Sequence, residues 1–321
     1  MTPTSDDLLG DTRRSRLLVL DSGVGGLAYI RRLLRIRNAY DVYYVADTAG
    51  FPYGEKPPDH LQEHLLRLVG EALLRFPADI ALIACNTASV TALDALRERY
   101  TIPFVGTVPA VKPAVAMTRT GTIALLATSA TVGDDYTDRL IDTFAEGYQV
   151  VRSGAPELVR RIEGGFPHLS ETSRVESLVR TELSSFAAAG ADVVVLGCTH
   201  FLHITELLER IARELGVAVQ LVDSLDGVAR RVVALTRAEQ LPTVTGILGS
   251  VVKPGRGSGA RPPGLRGIGS GGNVTAPPST ESCGVIVTTG FRDSPAQPPE
   301  AERYREIGKA FRLEYGGVLE L

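Results

Sequence analysis

The strongest constraint on this chain is a repeated pattern: a short apolar run, rich in Val, Ile and Leu, that stops at small polar residues and is followed by a segment of helical period. RLLVLD (16–21), DVYYVAD (41–47), DIALIAC (79–85), IPFVGT (102–107), TIALLATSAT (122–131), YQVVRS (148–153), ADVVVLGC (191–198) and VAVQLVDS (217–224) read as strands. Between them, LAYIRRLLRI, HLQEHLLRLVGEALLRF, ALDALRERY, DYTDRLIDTFAEG, PELVRRIEGG, SRVESLVRTELSSFAAAG and ITELLERIARELG carry helical spacing. Strands this apolar need cover on both faces. Their alternation with helices predicts an α/β fold of mostly parallel sheets flanked by helices. Ligands of such folds bind beyond the carboxyl ends of the strands. The polar residues that interrupt the apolar runs here sit at those ends.

At 321 residues the chain exceeds one ordinary core, so two domains are expected. The two series of strands also resemble each other: LLVLDSG matches IALLATS, and LIACNT matches VVLGCT. Two similar domains with a cleft between them follow. The expected division is an extension over 1–15, a first domain over 16–106 and 217–321, and a second over 107–216. Residues 241–280 hold ten Gly and six Pro with no periodicity, so a flexible insertion is expected over 241–283. GVIVTTG (284–290) then reads as a strand and EAERYREIGKAFRLE (300–314) as a helix, both placed with the first domain.

A net charge of −3 offers no field for nucleic acid or an anionic membrane. No apolar run reaches the roughly 18 residues of a membrane span, and the polar start MTPTSDDLLGDTRRSR has no apolar leader core. Three widely spaced cysteines make no disulfide framework. A cytoplasmic protein with free thiols is the expectation.

Two of those thiols, Cys85 and Cys198, end apolar strands and precede small polar residues, Asn86 and Thr87 in one case and Thr199 and His200 in the other. A thiol beside a helix N-terminus meets unpaired N–H groups, which predicts a pKa lowered toward neutrality. The plain alternative is a small buried hydrophobe; the same placement occurring twice favours chemistry. A facing pair could close a disulfide, share a metal with His200 and His203, or act on opposite sides of one carbon, one thiolate removing a proton while the other thiol supplies one.

DSGVGGL (21–27), DTAGFPYGEK (47–56), ACNTAS (84–89) and GCTHF (197–201), in this order across residues 16–240, resemble the cofactor-independent aspartate/glutamate racemases, and the glutamate enzymes most. The resemblance implies interconversion of L- and D-glutamate, supplying D-glutamate for peptidoglycan, with no pyridoxal phosphate, metal or nucleotide. It implies Cys85 as the base for D-glutamate and Cys198 as the base for L-glutamate. Asp21, His200 and Glu163 would assist them. Asp21, Ser22, Tyr53, Gly54, Asn86, Thr87, Thr199 and His200 would bind substrate. A homodimer is carried as the default assembly. The chain departs from the family pattern at Phe201 and Leu202, where Tyr and Pro are usual, at Ala155, where Cys is common, and in its long insertion.

Other readings rank lower. HLQEH (60–64) fits H-x-x-E-H and suggests a zinc peptidase, but two histidines on an exposed helix face explain it more simply. The glycines at 23, 25 and 26 do not follow G-x-G-x-x-G, so a carboxylate-binding loop is preferred to a dinucleotide loop. None of the four lysines suits a Schiff base. An acidic amino-acid binding protein without turnover has no need of two thiols. Aspartate as substrate differs by one methylene, a discrimination of only about 1–3 kcal/mol.

Overall fold

Each apolar run from RLLVLD to GVIVTTG forms a strand in the computed structural model of the protein, which describes residues 14–37, 39–169, 172–237, 282–290 and 298–321. The first half comprises β1 (Ser15–Asp21), α1 (Leu27–Ile36), β2 (Tyr40–Ala46), α2 (Pro58–Arg75), β3 (Ile80–Ile83), α3 (Asn86–Arg99) and β4 (Phe104–Gly106). The second comprises α4 (Val111–Met117), β5 (Thr122–Ala127), α5 (Ser129–Val132), α6 (Asp135–Phe144), β6 (Gln149–Gly154), α7 (Pro156–Gly165), α8 (Thr172–Ala188), β7 (Val193–Leu196), α9 (Thr205–Glu214) and β8 (Gln220–Val222). The chain then returns through α10 (Leu225–Arg237), β9 (Gly284–Gly290), α11 (Pro298–Phe311) and β10 (Leu313–Glu320).

Two wholly parallel sheets result. One has the order β10-β9-β2-β1-β3-β4, the other β6-β5-β7-β8. The run β2-β1-β3-β4 repeats as β6-β5-β7-β8, so the internal resemblance is one of topology as well as of sequence. Strand alternation divides the side chains as the pleat requires. Leu17 and Val19 point into a cluster with α1, α10 and α11, whereas Leu18 and Leu20 point into one with α2 and α3. Ala124 and Leu126 face α7, α8 and α9; Ile123 and Leu125 face α4 and α6. All eight are essentially fully buried.

The expected return to the first half at residue 217 comes too early. β8 pairs with β7, Val193 opposite Gln220, so it completes the second sheet and the crossing follows Val222. The reading over 300–314 as one helix also needs correction. α11 ends at Phe311, Arg312 turns with φ 57, and Leu313–Glu320 adds an edge strand to β9 with a register break between Tyr315 and Val318. That strand contains Gly316 and Gly317, which hide it from any propensity reading. α3 begins at Asn86 rather than at residue 92, directly behind Cys85.

Most of the expected extension over 1–15 and of the insertion over 241–283 lies outside the described residues. At their edges both ranges shrink. Ser15 already belongs to β1, and the Cys283 carbonyl accepts from the Val42 amide at 2.9 Å at the start of β9.

Candidate active site

The carboxyl ends of β1, β3, β5 and β7 converge on one cleft, and the SGVGG loop after β1 shows why its sequence is so small. A Cβ added to Gly25 would lie 2.3 Å from Thr199 Oγ1, and one on Gly23 would lie 2.1 Å from Glu163 Oε2. The loop is pressed directly against residues of the second half, and only a backbone without side chains fits there. Asp21, at the end of β1, is fully buried. Its Oδ1 accepts from the Gly23 amide at 2.8 Å and its Oδ2 from the Thr199 hydroxyl at 3.0 Å. Burial pushes its carboxyl up to about 6, with His200 acting in the opposite sense.

Cys85 caps the N-terminus of α3 in extended conformation. The amides of Thr87 and Ala88 favour its thiolate as the helix geometry predicts, but burial and the neighbouring Asp21 outweigh them. The thiol therefore lies well above its ordinary value, which corrects the expected lowering. A helix end stabilises charge by about 1 kcal/mol, less than the cost of removing a thiolate from water beside a carboxylate.

Cys198 has a different setting. Only a five-residue 3-10 turn, Thr199–His203, follows it. Its sulfur lies 3.7 Å from His200 Nδ1, and His200 Nε2 lies 2.9 Å from Glu163 Oε2. Burial opposes charge on His200, yet its hydrogen bonds to Cys198 and Glu163 hold it well above the usual imidazole value. Glu163 lies below the usual carboxylate range despite burial, because it accepts from His200 and faces Arg303 as well. Burial lowers His203 to about 4, and its Nε2–H donates to the Val24 carbonyl at 2.9 Å. Phe201 fills the apolar cluster under the turn. Leu202 packs partly buried against the same cluster, so the two departures in GCTHFLH, Phe201 and Leu202, are both engaged.

The cleft is lined by both thiols, Ser22, Tyr53, Gly54, Thr87 and His200 among the expected residues. Asp21, Asn86, Thr199 and Glu163 stand behind that lining, all buried. The Asn86 Oδ1 is a buried acceptor without a hydrogen-bond partner among the described residues. Tyr53 presents its ring to the cleft while its hydroxyl donates to Asp47 Oδ2 at 2.6 Å.

Sequence reading missed Phe51, Pro52, Glu55, Thr128, Ser129, Pro156 and Val159 in the lining. Thr128 had a signal: in register it is the counterpart of Ser22, since Leu20 pairs with Ile83 as Leu126 pairs with Leu196. Its hydroxyl lies 2.9 Å from that of Thr87, bridging the two halves. His64 is no exposed helix residue. Its Nε2 lies 2.5 Å from the buried Asp47, while His60 is exposed. Among the described residues no cluster of three His, Cys, Asp or Glu side chains is arranged for a metal.

The same chain pattern exists in known proteins. The model of the Asp/Glu/hydantoin racemase family matches residues 19–232. The glutamate racemase of Photorhabdus laumondii is 39% identical over 238 residues, covering 73% of this chain and 79% of its own. That of Pectobacterium carotovorum is 41% identical over 219 residues, 68% of this chain and 75% of its own. Escherichia coli glutamate racemase, solved with L-glutamate and the activator UDP-MurNAc-ala, matches with a TM-score of 0.74 and 30% identity over 96% of this chain and 98% of that one. With the duplicated sheets, the paired thiols and a family match over most of its length, this chain belongs to the Asp/Glu/hydantoin racemase family.

Proposed function

We propose that this protein is a cofactor-independent glutamate racemase that moves the Cα proton between two thiols, supplying D-glutamate for peptidoglycan as a cytoplasmic step. The observation that carries this reading is the pair Cys85 and Cys198, one from each sheet, both lining a single cleft. Cα would lose its proton to the thiolate on one side, and the planar carbanion so formed would take a proton from the thiol on the other. Cys85 is the base for D-glutamate and Cys198 for L-glutamate.

The α-proton of an amino acid is a very weak acid, so the cleft must stabilise negative charge on the substrate carboxylate. The hydroxyls of Ser22 and Thr87, the amide of Thr199 and the first amides of α3 are donors suited to that task. Asp21 and the Asn86 Oδ1 are acceptors suited to the ammonium. A bound ammonium would also supply the positive charge that the Cys85 thiolate lacks. Tyr53 and Gly54 form a wall that measures side-chain length. His200, charged and backed by Glu163, serves Cys198.

Reduced protein incubated with L-glutamate in D₂O, without added cofactor or metal, should lose optical activity and place solvent deuterium at Cα. Racemisation of aspartate alone would move the substrate and keep the mechanism. Inertness toward both would refute the reading.

A further inference from the structure

The relay behind Cys198 does not end at Glu163. Its carboxylate accepts four hydrogen bonds, which fills its capacity. Oε2 takes the Val24 amide at 2.8 Å and His200 Nε2 at 2.9 Å. Oε1 takes Arg303 Nη2 at 2.7 Å and the Tyr304 hydroxyl at 3.2 Å. Both donors to Oε1 come from α11, a helix packed on the first sheet, whereas Glu163 sits on α7 beside the second.

We infer that Arg303 is a positioning residue for the Cys198 base: its guanidinium clamps one oxygen of Glu163 so that the other stays on His200. The inference rests on the two-thiol reading of the cleft and extends it to the last helix of the chain, 140 positions beyond Glu163.

Glu163 is buried and Arg303 partly so, at 9% and 25% side-chain exposure, which separates this contact from surface ion pairs worth little. His200, Glu163 and Arg303 alternate in sign. A carboxyl this buried reverts toward its neutral acid without a cation, and a neutral Glu163 could no longer hold the imidazolium that faces the sulfur. The other titratable groups facing the relay are Asp21 from β1, Tyr44 from β2, Cys85 at the start of α3, Arg31 from α1, and Cys198 and His203 flanking His200. Besides the His200 imidazolium itself, Arg303 is the cation in direct contact with Glu163 among the described residues. Removing its charge must raise the pH at which Glu163 takes a proton.

The test reads His200 directly. The chain has five histidines, so ¹⁵N imidazole resonances are assignable with His200→Asn as reference. In the whole protein the His200 Nε2 signal should respond to Glu163 protonation only at low pH. In Arg303→Met that transition should move up by about one pH unit, with kcat for glutamate lowered about tenfold and KM changed less than about twofold. Arg303→Lys should restore most of both. Arg303→Gln, which keeps a donor without the charge, should show the same shift as Arg303→Met and carries the test if the latter does not fold. A His200 transition at the same pH in wild type and in the charge-free variant overturns the inference, as does equal loss in Arg303→Lys. The titration needs no turnover, so a wild-type protein that fails to racemise glutamate yet shows the shift would refute the proposed function alone.

Discussion

The two cysteine sites occupy equivalent positions in two sheets of the same strand order, yet their surroundings differ. Cys85 begins a fourteen-residue helix and meets its amides; Cys198 begins one short turn and meets His200. In register, Thr87 stands where the other half has His200, and Ala127 stands where the first has Asp21. One thiol is therefore served by backbone dipoles beside a carboxylate, the other by a charged side-chain relay. Duplicated topology supplies two places for a thiol. It does not supply two equal surroundings.

Because the enantiomers of glutamate have equal free energy, kcat/KM must be the same in both directions. The asymmetry of the site can appear only in kcat and KM taken separately, or in their dependence on pH. The largest effects should come from removing the sulfurs. Cys85→Ser and Cys198→Ser should each lower racemisation at least about a thousandfold, as loss of a general base at carbon does. If either variant keeps more than a tenth of wild-type turnover, the two sites are not partners in one reaction.

His200→Asn should lower kcat about a hundredfold, and Glu163→Gln nearly as much, with little change in KM. Both act through Cys198. Since His200 lies well above the usual imidazole value, its charged form should persist through neutral pH, and the activity it supports should fall only as pH rises further. A profile that falls with a midpoint near 6.5 would show that the relay is not formed.

Asp21→Asn separates function from stability on the Cys85 side. The folded state binds this proton more tightly, at about 6 against an ordinary value of 3.8. Between those values the folded state holds more protons than the unfolded chain, so the Asp21 contribution weakens as pH rises through that window and stays unfavourable above it. Asp21→Asn should therefore stabilise the protein at pH 7, by up to about 3 kcal/mol, while lowering turnover. Denaturant melts at pH 4 and pH 7 check this: the gain should be present at pH 7 and nearly absent at pH 4.

The smallest effect is expected at the wall. Tyr53→Phe removes one hydrogen bond to Asp47, which retains His64, Thr289 and Gly50 as donors. A loss of about 1 kcal/mol in stability and a KM raised less than about fivefold follow. A larger rise in KM would mean that the hydroxyl itself reaches the substrate.

The sequence by itself determined the strands that carry the site. Continuous runs of Val, Ile and Leu are stable only with both faces covered, so their place in parallel sheets was legible in the letters. The two Cys positions and the Gly-rich loop were legible too, because each interrupts such a run at its end. Glu163 was visible only through resemblance. What tertiary structure alone decided is which distant groups meet at those ends and what burial does to them. β8 joins the second sheet and Leu313–Glu320 forms a strand because a sheet edge accepts them, not because local propensity asks for it. Arg303 reaches Glu163, and Thr87 reaches Thr128, by folding alone. The sign of the Cys85 shift also belongs here. Helix position is local and favours the thiolate, whereas desolvation and the charge of Asp21 depend on everything packed around the sulfur, and they are larger.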